Sequence, residues 1–367
     1  MIFVVVYLTF TNNISLCYPK PHSGHDATPI SVSLMGASSN PRLAGAMTAM
    51  LAKNALNPAD ISIVSPSSSN LDILKLTFSF SLQLYRLYNE SKETPPVDLL
   101  RIPQFLELLL EALFKPGSKL HADQRPKYIF LLSYAASVHE TYKKATSYTS
   151  YNNVAMRKSV NREELKATIA AVEKVSALCS ERKGSSEILP ELGNIFALIG
   201  RFQVAALGLV YWVKHVVSEA SFFKLSTEQT PLHLALLDEV TACHQTLHSK
   251  VLDLYIGIFE ATYEELEVLA QLELKKMILD RMVHLLSKGA VLPVMRYVKE
   301  RWEKGDTDIS LIRYFVTEVL FMISPPYSED FVALFLPLVE CEEVTGSMRT
   351  ESDGRVLVTE FIGKWLG

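Results

Sequence analysis

Residues Leu274–Val298 read LKKMILDRMVHLLSKGAVLPVMRYV, and their pattern decides the fold class. Leu274, Ile278, Met282 and Leu285 recur at three- and four-residue intervals, the stripe of a helix that buries one face. Gly289 interrupts the run, and Pro293 shapes the start of a second one in which Val291, Leu292, Met295, Val298 and Trp302 form another stripe. The stretch is thus a helix, a tight turn and a helix. Its polar residues raise a separate question. Asp280 and His284 stand four apart, the spacing of an acid–base pair. The ordinary explanation is a solvated face with charge pairing from Lys276 to Asp280 and from Asp280 to His284.

The same punctuation continues on both sides. In KGDTD (304–308), Gly305 suits a left-handed C-terminal cap, and Asp308 is an N-cap for a helix opening at Ile309. That helix carries Ile312, Phe315, Val316, Val319, Leu320 and Ile323 on one side. After SPPYSED (324–330), Ser328 caps a helix with Glu329 and Asp330 in its first turn, where the helix dipole favours acids. Its stripe is Phe331, Leu334, Phe335 and Leu338. Further back, PPVDLLRIPQFLELLLEALFKPG (95–117), RPKYIFLLSYAASVHETYKK (125–144), NREELKATIAAVEKVSALCS (161–180) and TPLHLALLDEVTACHQTLH (230–248) each read as one helix bounded by Pro, Gly or a polar cap. No β-hairpin signal stands out. Consecutive helices with short connectors imply antiparallel neighbours. Helix pairs recur at a loose spacing of roughly 40 residues, so the expected fold is all-α, an irregular HEAT-like solenoid of stacked antiparallel helix pairs.

Composition narrows the function classes. The chain has 367 residues, of which 49% are hydrophobic, enough to bury a large core. A net charge of −4 excludes a protein that is basic overall, so any nucleic-acid contact must come from a local patch. Cys17, Cys179, Cys243 and Cys341 form no CxxC, which points to reduced thiols rather than a disulfide framework. Met1–Phe10 is apolar but too short to span a bilayer, and no positive charge precedes it. No phosphate-binding glycine loop, GxSxG or HExxH occurs.

Three constellations carry possible chemistry. His244 and His248 lie four apart, with Cys243 adjacent and Asp238 earlier in the run. As the metal site of an enzyme this offers too few ligands on one helix face, and helix-end histidines with a buried thiol are the ordinary explanation. The second constellation is Asp280 with His284. The third is a cationic connector. Lys143 and Lys144 close one helix, Arg157 and Lys158 close a loop, and Arg162 and Lys166 open the next helix. Phosphate binding by such a cluster releases counterions, and Tyr142, Tyr148 and Tyr151 beside it could stack on bases. Helix-end cations beside a soluble loop are the alternative. Arg42 and Arg86, isolated on apolar helices, are weaker candidates for the same surface.

The strings QLELKKMILDRMVHLLSKGAVLPVMRYV, DTDISLIRYFVTEVL, TPLHLALLDEVTACHQTLH, RLAGAMTAMLAKNALNPADI, PPVDLLRIPQFLELLLEALFKPG and YIFLLSYAASVHETYKK together resemble the C/D subunit of the negative elongation factor, the trihydrophobin family. The resemblance runs from VSLMG near residue 32 to VTEFI near residue 360. It implies a nuclear, non-enzymatic, helical scaffold in a complex that holds RNA polymerase II in promoter-proximal pausing. The implied partners are the N-terminal domain of the A subunit, the B and E subunits, the polymerase and single-stranded RNA, with no cofactor, metal, membrane or small-molecule substrate. Carried over, the cationic connector is Lys143, Lys144, Arg157, Lys158 and Lys166. Residues 1–26 look like nothing in the family and are expected to be disordered or translated non-coding sequence. Residues 27–367 are expected to form the scaffold domain, without the family's N-terminal part. Residues 65–83 (Ser-rich, then apolar without helical phase) and 145–156 (a Ser/Tyr/Asn tract) are expected as loop insertions.

Overall fold

The computed structural model describes residue 85 and residues 97–143, 155–179, 185–225, 231–346 and 358–363, apart from 102, 119, 220, 221 and 265. Residues 1–26 and 65–83, and Arg42 and Arg86, lie outside the described residues, as do 145–154 of the tract expected as a loop. The chain divides into two compact units, residues 1–180 and 181–367.

In the first unit the described elements are α1 (Val97–Leu100), α2 (Pro103–Phe114), α3 (Arg125–Ser137), β1 (Val138–Lys143), β2 (Ala155–Val160) and α4 (Arg162–Cys179). The run 95–117, expected as one helix, is two. Pro103 disfavours helical geometry at the residue before it, and it restarts the helix at a position where a missing N–H costs nothing. α3 packs between α2 and α4. Its interior face is nearly continuous, with Tyr128 to Ala135 all buried. Asn161 caps α4, its Oδ1 accepting the backbone N–H of Glu163 at 3.0 Å.

The second correction is a β-hairpin. The helix expected over 125–144 stops at Ser137, and Val138–Lys143 pairs antiparallel with Ala155–Val160, Glu140 opposite Lys158 and Lys143 opposite Ala155. Lys143 therefore ends a strand rather than a helix, and Arg157 and Lys158 lie in a strand rather than a loop. Val138, Thr141 and Tyr142 favour a pleated surface. Their partner strand is hidden in the sequence behind the intervening polar tract.

The second unit holds α5 (Ser185–Ile188), a 3-10 turn (Leu189–Glu191), α6 (Leu192–Arg201), α7 (Gln203–Val217), α8 (Phe222–Leu225), α9 (Leu232–Cys243), a 3-10 turn (Gln245–Leu247), α10 (His248–Glu260), α11 (Val268–Ser287), α12 (Val291–Lys304), α13 (Ile309–Met322), α14 (Glu329–Glu340) and α15 (Glu342–Thr345). Residues 358–363 are also helical. Alternate helices pack on each other: α9 on α11, α11 on α13 and α13 on α15 in one layer, and α12 on α14 in the other. This is the helical-repeat arrangement expected from the pattern. Within the opening stretch, Leu274, Ile278, Met282 and Leu285 are buried, and Gly289 takes φ 108° at the turn. Gly305 is the left-handed cap of α12, Asp308 accepts the N–H of Ser310 at 2.8 Å, and Ser328 accepts that of Phe331 at 3.3 Å. Each buried Leu, Ile, Val, Phe or Met contributes roughly 1.5–3 kcal/mol of hydrophobic stabilisation, so the stripes rather than the caps dominate. Among the described residues, no helix is long and apolar enough to cross a membrane.

Candidate nucleic-acid interface

The cationic connector is built on a buried arginine that no local pattern in the sequence singles out. Arg101, 5% exposed, follows α1 and reaches the end of α3. Its Nε donates to the Ala135 carbonyl at 2.9 Å, Nη2 to the Val138 carbonyl at 2.5 Å, and Nη1 to Glu140 Oε1 at 2.9 Å. Carbonyls left over at the end of α3 thus find donors, and Glu140 is held at the base of β1. The only sequence signal is a charge between two apolar runs, DLL and IPQFL.

The hairpin then distributes the expected cations. By strand alternation, positions 143 and 157 fall on one face of the ribbon and position 158 on the other. Lys158 is exposed and sits opposite Glu140. Arg162 and Lys166, both exposed, are four apart on α4 and share its outer side. Lys144, Tyr148 and Tyr151 lie outside the described residues, whereas Tyr142 is opposite Met156 in the hairpin. Carboxylates run through the same region. Glu164 pairs with His139 at 2.9 Å, and Glu163 lies in the first turn of α4. Among the described residues, Lys158, Arg162 and Lys166 are thus interspersed with Glu140, Glu163 and Glu164, a mixed surface whose exposed cations lie on both the ribbon and the helix. Cations of this kind contact phosphates, which position a nucleic acid on a surface without reading its sequence.

The histidine constellation takes a different form from the one expected. α9 ends at Cys243, and His244 leaves the helix at φ −133°, ψ 88°. His244 and His248 thus do not share one helical face. His244 Nε2 meets the Ile199 carbonyl at 2.6 Å, and His248 Nε2, in a buried ring, meets the Thr241 carbonyl at 2.8 Å. Cys243 is exposed rather than buried, and its thiol contacts Glu239 at 3.4 Å. Partial desolvation of the thiol and the Glu239 carboxylate raise the Cys243 pKa, the opposite of an activated nucleophile. Among the described residues, no group of three or more His, Cys, Asp or Glu side chains could hold a metal ion.

Asp280 and His284 also part company. The Asp280 carboxylate accepts the hydroxyl of Tyr314 on α13, and Lys276 lies over the Tyr314 ring at 4.7 Å. His284 belongs to a second group in which Arg281 pairs with Asp238 of α9. Burial raises the Asp238 carboxyl pKa, with Arg281, His284 and Lys288 opposing it. Burial lowers that of His284, with Asp238 opposing and Lys288 and Arg281 assisting. Tyr255 of α10 is fully buried beside Asp238, and desolvation raises its pKa well above the ordinary value. These polar groups key one helix of the array to the next.

Comparison with known proteins identifies the family. A family model described as TH1 protein matches residues 17–365. The chain is 48% identical over 340 residues to a protein named negative elongation factor D from Sus scrofa, covering 92% of this chain and 52% of that protein. The same figures hold for negative elongation factor D from Mus musculus. The chain spans about half the length of the curated relatives it matches. With nearly its whole length matched, the chain belongs to the TH1 protein family.

Proposed function

We propose that the chain is a non-catalytic scaffold subunit of a negative elongation factor, acting in the nucleus to hold RNA polymerase II in promoter-proximal pausing. The observation that carries this reading is the 48% identity over 92% of the chain to negative elongation factor D. The helical-repeat architecture supports it, because stacked helix pairs offer extended surfaces for partners. The proposed partners are the N-terminal domain of the A subunit, the B and E subunits, the polymerase and single-stranded RNA. The RNA-facing surface is the connector formed by Lys143, Lys144, Arg157, Lys158, Arg162 and Lys166, and Arg42 and Arg86 are proposed as outlying contributors.

Replacing Lys143, Lys144, Arg157, Lys158 and Lys166 with glutamate tests the RNA part within the assembled complex. Affinity for a labelled single-stranded RNA should fall at least ~10-fold at moderate salt, and the salt dependence should flatten by roughly 0.7 for each phosphate no longer bound. The paused lifetime of polymerase in a reconstituted transcription assay should shorten with it. Unchanged RNA affinity and salt slope would remove this surface from the RNA path.

A further inference from the structure

We infer that the first turn and a half of α11 is a docking knob for a cationic, amphipathic segment of another protein. α11 is 20 residues long, yet its first six residues, VLAQLE, contain no buried position, and its buried face begins only at Leu274. Val268, Leu269 and Ala270 are exposed, and Gln271 and Leu272 are only half-buried, so burial begins well over a turn after the helix does. This tip is apolar. Val268 is 85% exposed, Leu269 is 68% exposed, and Leu272, one turn on, is half-buried. Two adjacent, highly exposed aliphatic side chains at the tip of one helix are more than the scattered single exposures of an ordinary surface.

The knob is held rather than frayed. Gln271 Nε2 donates to the carbonyls of Tyr263 and Leu266, at 2.9 and 3.0 Å, tying the preceding turn to the helix. The Tyr263 ring is buried and packs edge-on against Phe223 at 5.4 Å. A partner would therefore meet a surface whose ordering cost is already met.

Charge identifies the partner. Residues 260–273 contain five glutamates and no lysine or arginine. Glu264, Glu267 and Glu273 are exposed, and no ion pair joins them among the described residues. Glu260 is engaged by Arg301 at 3.2 Å, and Lys275 and Lys276, the next charges along α11, lie over the Phe259 and Tyr314 rings, which leaves Glu264, Glu267 and Glu273 as the exposed charges flanking Val268 and Leu269. Glutamates near a helix N-terminus are locally favourable, but that does not account for the apolar tip between them. A nucleic acid or an anionic membrane would be repelled. A short segment with leucine-like anchors flanked by lysine or arginine is complementary in both respects. This assignment is independent of the RNA surface, which lies in the first unit.

The test is a fluorescence-anisotropy titration of the full chain with a 14-residue amphipathic leucine/lysine peptide. Saturable binding in the micromolar range is expected. The double substitution Val268→Ser with Leu269→Ser should weaken it at least ~10-fold, as expected for loss of central anchors. The triple substitution Glu264→Gln, Glu267→Gln, Glu273→Gln should weaken it and abolish most of its salt dependence. An acidic peptide with the same leucine spacing should not bind. All substituted positions are exposed, so unchanged circular dichroism and thermal midpoint serve as the folding control. Absence of binding, or equal affinity for the Ser variant, overturns the proposal. So does sedimentation showing that the chain self-associates through this face and loses that association in the Ser variant.

Discussion

Replacing Arg101 with methionine should destabilise the α3–hairpin region by about 3–5 kcal/mol, the range for breaking a buried ion pair from one side. The size follows from what is left behind. Glu140, whose side chain is 24% exposed, loses its cation, and the carbonyls of Ala135 and Val138 lose donors in a buried setting. Methionine restores most of the packing volume, so the loss reads out polar satisfaction rather than a cavity. Arg101→Lys keeps the charge but not the planar fork, and it should recover only part of the stability. Hydrogen exchange resolved to residues 125–143 and 155–160 is the appropriate readout, because the effect should be local to the first unit. Protection unchanged in Arg101→Met would show that the hairpin does not depend on this residue. If the hairpin is the RNA surface, the same variant should also weaken RNA binding without removing any of the cations proposed to touch RNA.

The second large effect is expected at the Asp238–Arg281 pair. Arg281→Met leaves Asp238 in a desolvating position and removes the cation that most strongly offsets its burial. A loss of about 3 kcal/mol is expected. Converting Asp238 to alanine as well should cost less than Arg281→Met alone, because no unpaired carboxylate remains. The pH dependence has a definite sign. The folded-state pKa of Asp238 is raised, so the folded chain binds that proton more tightly than the unfolded chain does. The penalty in Arg281→Met should therefore shrink as pH falls through the folded-state pKa of Asp238. His284, whose pKa is lowered, works in the other direction, costing stability as pH falls below the ordinary histidine value, because its charged form is disfavoured in the fold. Trp212 and Trp302 lie in the second unit and report its unfolding by fluorescence. A double-mutant cycle with no coupling between positions 238 and 281 would show that the pair is merely a surface contact.

These two arginines mark the limit of what is legible along the chain. The caps at Gly305, Asp308 and Ser328 and the stripes of α11, α13 and α14 are legible because each is a local signal, set by conformational preference or by a period of 3.6. Arg101 acts on carbonyls 34 and 37 residues away, and Arg281 on a carboxylate 43 residues away. Neither separation has a sequence signature. The break at His244 has the same origin. Local propensity continues α9 into α10, but the imidazole finds the Ile199 carbonyl 45 residues back, and the backbone turns to reach it. The hairpin is hidden for a related reason. The strand Val138–Lys143 follows α3 without punctuation, and its pairing partner begins at Ala155. Of the candidate site, residue types and charge were readable, but their division between ribbon and helix was not.

An assembly scaffold, the role proposed for this half-length relative of negative elongation factor D, binds its partner subunit stably. Co-expression with the N-terminal domain of the A subunit of negative elongation factor, followed by size-exclusion chromatography at moderate salt, tests it most directly. A stoichiometric complex that persists at a salt concentration sufficient to strip RNA is the expected result. Separate elution of two folded proteins would rule that role out.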